Sequence, residues 1–219
     1  MTAPPPKAAI FDLDGTLLNT LDDIANAMNQ TLRSMDLPEH PEQDYRWFVG
    51  KGMEALARRV LPQNKAHLLG QCCELMKTFY AQNWKNKTKP YEGIPSMLGE
   101  LAAKGVVMAV LSNKDHGFTC RCVSEFFPTI PFQQVVGVGP NTPPKPNPQG
   151  LQGILKGMNL PPEAVLYMGD TSIDMETAAT ENLFSVGVSW GFRPQKELEE
   201  AGARAIIHEP HQLLTFFQA

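Results

Sequence analysis

No stretch of this sequence approaches the ~20 consecutive apolar residues that a membrane span needs. A block of basic residues is missing too: 19 Lys and Arg stand against 23 Asp and Glu, a net charge of −4. That balance argues against a nucleic-acid partner and against a polybasic membrane patch. A small anionic ligand would have to be captured by a few local cations and backbone amides. Cysteine is scarce. Cys72, Cys73, Cys120 and Cys122 do not make two C-x-x-C pairs, which argues against a zinc site and for buried free thiols in a reducing cytosol. The five histidines, His40, His67, His116, His208 and His211, show no paired ligand spacing. The opening MTAPPPK lacks the apolar core of a secretion signal, so a cytoplasmic protein is expected. Apart from the prolines at 4–6 there is no low-complexity tract, and there is no internal repeat.

What the chain has is bulk. Its 219 residues are 42% hydrophobic, enough for one large domain or one domain with an insertion. The centre is AAIFDLDGTLLNT at residues 8–20. Residues 8–11 are apolar and predict a short buried strand. That strand runs into Asp12 and Asp14, with Leu13 between them and Gly15 and Thr16 behind. Side chains two apart on an extended chain leave the same face. Two unpaired acids at the end of a buried strand are costly unless something positive joins them; a divalent cation, or a proton shared with a substrate, is the simplest remedy. Gly15 lets the chain turn beside a ligand, and Thr16 offers a hydroxyl. Taken alone, the pattern also suits a plain turn that closes a strand.

After Thr20 the texture is helical. Leu21, Ile24, Met28, Leu32 and Met35 recur at three- and four-residue steps, and Thr20 with Asp23 has the spacing of a capping box. Pro38 and Pro41 end this helix and begin another; further helices are expected near 53–60 and 64–84. From Tyr91 onward helices and strands alternate. Strands are expected at 106–111, 134–138, 164–168, 184–188 and 205–207, with helices at 94–104, 115–126, 148–158 and 174–181. This predicts an α/β fold: a Rossmann-like, mostly parallel sheet from 1–19 and 91–219, with an inserted all-helical cap domain at 20–90. In such sheets ligands sit beyond the carboxyl ends of the strands.

Those ends carry the polar groups. Ser112, Asn113 and Lys114 follow one strand; Gly169, Asp170 and Thr171, then Asp174, follow another; Lys145 lies in PPKPNP after a third. Each has a plain structural explanation: a helix cap, a helix-terminus acid, an exposed lysine. Together on one sheet edge they predict one site, and the chemistry they suit is phosphoryl transfer. Asp12 is the candidate nucleophile, forming an aspartyl phosphate. Asp14 would protonate the leaving alkoxide and then activate water. Asp12, Asp14 and Asp170 are the candidate Mg²⁺ ligands, one of their oxygens a backbone carbonyl, with Asp174 behind them. Thr16, Ser112 and the amides around Leu13 and Asn113 would hold phosphoryl oxygens, and Lys145 would neutralise Asp12 and the transferring group. Gly50, Lys51 and Gly52 form a candidate substrate loop. Lys51 would either meet a substrate carboxylate or stand solvated in a turn, and Arg193 is a further candidate for fixing an anion.

These residues carry a resemblance. DLDGT at 12–16, LSN at 111–113, Lys145 and GDTSID at 169–174 together resemble the haloacid dehalogenase-like hydrolases, across nearly the whole chain. The resemblance implies a Rossmann-like core, Mg²⁺, and a helical cap directly after the first motif. Within that superfamily SNK at 112–114, VGKG at 49–52 and VSWGF at 188–192 are similar to phosphoglycolate phosphatases. Many relatives have Asp where this chain has Asn19, near the expected cap hinge, and Asn147. Asp14 argues against dehalogenation, which has no leaving alkoxide to protonate. The expected substrate is a small phosphorylated acid, 2-phosphoglycolate first. The alternatives are pyrophosphate, a nucleotide, or a sugar phosphate handled by a phosphatase or mutase. A phosphate-binding module without turnover is the alternative of another class, and the intact acid pair argues against it.

Overall fold

Four apolar residues, Ala8–Phe11, form β1, and all four are fully buried. A strand with no polar face has to lie inside a sheet covered on both sides. In the computed structural model, which describes residues 5–218, it does; residues 1–4, with the first leader proline, and residue 219 lie outside the described residues. The chain continues through β2 (Leu18–Asn19), then helices α1 (Leu21–Ser34), α2 (Tyr45–Phe48), α3 (Met53–Val60) and α4 (Leu69–Asn83), and returns through β3 (Lys89–Pro90). Alternation follows: α5 (Ile94–Ala103), β4 (Val107–Asp115), α6 (His116–Phe126), β5 (Phe132–Val138), α7 (Gln149–Met158), β6 (Val165–Gly169), α8 (Ser172–Thr180), β7 (Phe184–Val188), α9 (Gln195–Glu200) and β8 (Ala205–Ile207).

Six strands form one sheet in the order β5-β4-β1-β6-β7-β8, every neighbouring pair parallel. Alternate residues of β1 feed opposite faces. Ala9 and Phe11 join Met97, Leu98 and Leu101 of α5 and Cys122 of α6. Ala8 and Ile10 join Leu151 and Ile154 of α7 and Ala178 of α8. The chain leaves β1 toward β4 on one side and comes back to β6 on the other. The carboxyl ends of β1, β4 and β6 therefore meet at the switch point, where ligands bind in open sheets.

The helices between β2 and β3 have a core of their own. Ile24, Met28 and Leu32, one helical turn apart on α1, pack with Tyr45, Leu56, Val60, Cys72, Met76 and Tyr80. One member comes from outside the block: Phe192, beyond β7.

Several local expectations are corrected. The capping box of Thr20 and Asp23 does not form, and Thr20 makes no side-chain cap bond. Asp23 faces the returning chain, where the Lys87 and Thr88 amides and the Thr88 hydroxyl donate to its carboxylate at 2.9, 2.8 and 2.8 Å. Three tertiary donors outcompete one local amide. No full helix begins at Pro41; a 3₁₀ turn, Glu42–Asp44, leads into the short α2. The stretch 64–84 opens as a tighter 3₁₀ segment, Gln63–Leu68, before α4. Strand β4 runs on to Asp115, with a register shift against β5 after Leu111, so Ser112 and Asn113 lie in the strand. Asp115 caps α6 instead, accepting from Gly117 and Phe118 amides. All four thiols are free, but only Cys72 and Cys122 are buried; Cys73 and Cys120 are partly exposed. Burial pushes the Cys72 thiol up to about 11 and that of Cys122 up to about 12.

Asp23→Ala tests the tie between α1 and the returning chain. It orphans two backbone amides and a hydroxyl, one side of them buried. Urea unfolding is expected to show a loss of about 3 kcal/mol, three groups at the low end of about 1–3 each because the Lys87 amide is only part-buried. A loss below about 0.5 kcal/mol, the range of ordinary surface changes, would show that water replaces the carboxylate there.

Candidate active site

The site starts where β1 stops. The Asp12 amide still donates to Met168 O of β6 at 2.9 Å, so its position is set by the sheet. The chain then turns over Leu13, whose carbonyl accepts from the Leu17 and Leu18 amides, with Gly15 at φ +86°. Asp12 and Asp14 both line one cavity, yet they meet different cations. Lys145 Nζ lies 2.8 Å from Asp12 Oδ1 and 2.7 Å from Asp174 Oδ1. Lys114 Nζ lies 2.9 and 2.8 Å from the two oxygens of Asp14.

Oxygens of Asp12, Asp170 and Asp174 come within 4.8 Å of one another, and all three residues are buried. Two loops and a helix end hold them. Asp174 accepts from the Thr171 amide and hydroxyl in a capping box that starts α8. Asp170 accepts from the Phe192 amide at 2.7 Å and from Thr16 Oγ1 at 3.3 Å. Among the described residues it has no ion pair. Glycines crowd round these acids. A Cβ on Gly15 or Gly191 would collide with Asp170, and one on Gly169 with Asp174.

Three buried carboxylates stand together with one ammonium, which contacts two of them, and the electrostatics follow. Burial, then Asp174, pushes the Asp12 carboxyl up to about 7 despite Lys145. Burial, Asp174 and Asp12 hold Asp170 well above the usual carboxylate range. Burial opposes the charge on Lys145, but Asp12 and Asp174 outweigh it and raise its pKa. The surplus negative charge, the all-oxygen donors and the absence of His or Cys from the cluster fit a hard divalent cation such as Mg²⁺.

Asn113 serves as a strut. Its Oδ1 accepts from the Lys145 amide at 2.6 Å, and its Nδ2 donates to Lys145 O at 3.2 Å and Gly50 O at 2.9 Å. One side chain thus fixes the Lys145 loop and ties the 49–52 loop to the sheet. Ser112 is buried beside it; its Oγ accepts from the Lys114 amide at 3.2 Å and lines the cavity. That cavity is about 70 Å³. Above the acids it is walled by Ile24, Val49, Met53, Leu56, Met76 and Phe118.

Other candidates fall elsewhere. Gly50 and Gly52 line the cavity, but Lys51 between them is exposed and does not. Arg193 is committed to the same loop: its Nη2 donates to Trp47 O and Val49 O at 3.2 and 2.9 Å, and its Nε faces Glu197. Asn147 starts α7 by accepting from the Gln149 amide, and Asn19 lies in β2. The carboxylate of Asp14 lies outside the three-acid cluster, and that of Asp174 lies inside it.

Residues to which the sequence assigns no role also belong to this place. Lys114 is the chief one; the sequence marks it only as a polar group beside Ser112 and Asn113 and as the last residue of SNK. Tyr167 OH lies 3.3 Å from Lys145 Nζ. Trp190 donates its indole N–H to Thr16 O at 3.0 Å, pinning the turn after Asp14.

A family model described as haloacid dehalogenase-like hydrolase matches residues 9–188. A phosphoglycolate phosphatase of Aquifex aeolicus is 31% identical over 186 residues, 85% of this chain and 86% of that one. One from Pasteurella multocida is 30% identical over 217 residues, 95% of this chain and 96% of that one. A crystal structure of a protein from Lactobacillus delbrueckii subsp. bulgaricus superposes with a TM-score of 0.93 at 28% identity, covering 99% of this chain and 100% of that one.

Proposed function

The chain belongs to the haloacid dehalogenase-like hydrolase family and is a phosphatase, and from that premise we propose a Mg²⁺-dependent phosphomonoesterase acting on a small phosphorylated acid, 2-phosphoglycolate first. The carrying observation is the joining of Asp12 with Asp170, Asp174 and Lys145, at the edge of a cavity that Asp12 and Asp14 both line.

In this reading Asp12 attacks the phosphorus and becomes an aspartyl phosphate. Asp14, across the same cavity, gives its proton to the departing ester oxygen. It then takes one from the water that cleaves the acyl phosphate and returns Asp12. Ser112 and the backbone amides of the Leu13 turn and Asn113 hold the phosphoryl oxygens, with Thr16 steadying Asp170 from the same turn. Lys145 favours the ionised form of Asp12 against burial and Asp174, and orients it. Asp12 and Asp170 would hold the metal through their carboxylates, and Asp14, whose carboxylate is taken by Lys114, through its main-chain oxygen. Asp174 would support them. When bound, Mg²⁺ supplies positive charge for the phosphoryl oxygens.

The need for that charge is numerical. A phosphate dianion ~4 Å from one carboxylate is opposed by ~8 kcal/mol at an effective dielectric of about 20. That exceeds the ~3–4 kcal/mol expected from one hydrogen-bond donor, so cations are needed beside the amides. The helical block at 20–90 acts as a cap: it supplies the apolar roof, and Asn113 and Arg193 hold its 47–50 loop against the sheet. Four free thiols suit a cytoplasmic setting.

The test is phosphate release from 2-phosphoglycolate, pyrophosphate, a nucleoside monophosphate and a sugar phosphate. Turnover is expected with Mg²⁺, highest on 2-phosphoglycolate, and is expected to vanish in excess EDTA and return with added Mg²⁺. Turnover that survives exhaustive chelation would defeat the metal assignment; a different best substrate would replace 2-phosphoglycolate and keep the chemistry.

A further inference from the structure

We propose that Lys114, helped by Tyr80, is the receptor for a carboxylate on the leaving group, so that the site selects a short phosphorylated acid over neutral monoesters, sugar phosphates and nucleotides. This rests on the phosphomonoesterase reading and adds which part of the substrate is recognised, and by what.

The cavity has two unlike ends. Its floor is Asp12, Asp14 and Ser112; its walls are Ile24, Val49, Met53, Leu56, Met76 and Phe118. None of those six side chains offers a strong donor or acceptor. Sugar hydroxyls or a nucleobase placed there would give up water and gain nothing in return. The leaving group therefore has a short body with few polar atoms.

Asn113 and Asp115 also line the cavity, but their side chains are committed to the Lys145 and Gly50 backbones and to the start of α6; two further polar groups, Lys114 and Tyr80, interrupt the apolar wall. Lys114 is the one cation among the lining residues. An ammonium has three N–H donors. Two are used by the oxygens of Asp14, and beside the third stands Tyr80, its ring centroid 5.0 Å from Nζ. Tyr80 also lines the cavity, and its hydroxyl is buried with no hydrogen-bond partner among the described residues. A buried orphan hydroxyl calls for an explanation. A bound carboxylate would supply one, accepting from the Tyr80 hydroxyl and the free Lys114 donor together.

Position favours the same reading. Asp14 must reach the ester oxygen to protonate it, and Lys114 Nζ is 2.8 Å from an Asp14 oxygen. A carboxylate one methylene away from the ester oxygen falls next to that ammonium. Longer acids would drive their chain into the wall. Lys51, the cation that glycine spacing points to, is exposed and lines no part of this space.

The test sets 2-phosphoglycolate against ethyl phosphate, which has a methyl group in place of the carboxylate. The readout is the ratio of their kcat/KM values within each protein, so that any effect on Asp14 common to both substrates cancels. Wild type is expected to favour 2-phosphoglycolate by about 100-fold. Lys114→Met is expected to cut the ratio by about 30-fold, chiefly through KM, and Lys114→Arg to restore most of it. Tyr80→Phe keeps the ring and should cut the ratio by about 5-fold, which serves as the decisive variant if Lys114→Met does not fold. An unchanged ratio in the folded variants overturns the proposal and leaves the phosphatase standing. So does a wild type that prefers glucose 6-phosphate or AMP. Failure to release phosphate from any of these esters removes the underlying reading, and this one with it.

Discussion

Asp12→Asn is expected to lower phosphate release by about 10⁴-fold or more, with the fold intact. The change is isosteric. An amide oxygen can still accept from Lys145, whose Nζ lies 2.8 Å from Asp12 Oδ1, so the loop has no reason to move. What disappears is the nucleophile, since an amide cannot form and release a phosphoryl bond at this rate. Stability should move the other way. Burial and Asp174 raise the Asp12 carboxyl to about 7 from an ordinary 3.8. Between those values the folded protein binds more protons than the unfolded chain, so stability falls as pH rises through that window. The variant has no such group. In metal-free buffer at pH 8 its Tm is expected to equal or exceed that of wild type. Activity within about 100-fold of wild type, in protein free of contaminating phosphatase, would exclude Asp12 as the nucleophile.

Lys145→Met is expected to damage both stability and turnover. Among the described residues Lys145 alone bridges Asp12 and Asp174, and its side chain is almost wholly buried. Methionine matches the stem but leaves these two buried carboxylates without their ammonium. Breaking a buried pair by removing one partner costs about 3–5 kcal/mol, a large part of the ~5–15 kcal/mol that holds a domain together. Urea unfolding in EDTA should show a loss of that size, and added Mg²⁺ should recover part of it through binding to the same acids. Turnover with saturating Mg²⁺ should fall by about 10²–10³-fold, the scale of one lost stabilising donor. An unfolding midpoint equal to that of wild type in EDTA would mean that the acids shed their charge at no cost, and the electrostatic account of the site would fail.

Both predictions concern groups whose place is legible in the sequence, and the reason is local. An apolar run gives way to polar groups after β1, inside β4 and after β6, while Lys145 shows as the lysine of PPKPNP in the loop beyond β5. The partners of those groups are another matter. Lys114 and Asp14 are 100 residues apart, and Asp23 and Thr88 are 65 apart. Nothing in either neighbourhood marks one as the mate of the other. The spacing of Thr20 and Asp23 did carry a local message, a capping box, and tertiary donors overrode it. Lys51 drew attention through its flanking glycines. Glycines report backbone freedom; they say nothing about where the lysine between them points. Phe192 is marked in the sequence only as the last residue of VSWGF, yet its ring completes the helical block's core while its amide holds Asp170. Strands β2 and β3 are two residues each, too short for any periodicity to reveal.

Those two short strands set the terms on which the molecule can be rebuilt. They pair antiparallel, Leu18 opposite Pro90 and Asn19 opposite Lys89, so the chain leaves and re-enters through a single doorway. Opposed Cα atoms in such a pair stand about 5 Å apart. A two-residue hairpin turn would close that gap. Whatever is threaded through the doorway can thus be shortened, enlarged or swapped without re-threading any strand of the large sheet. New specificity can arise by graft, while the acids behind the doorway are inherited unchanged.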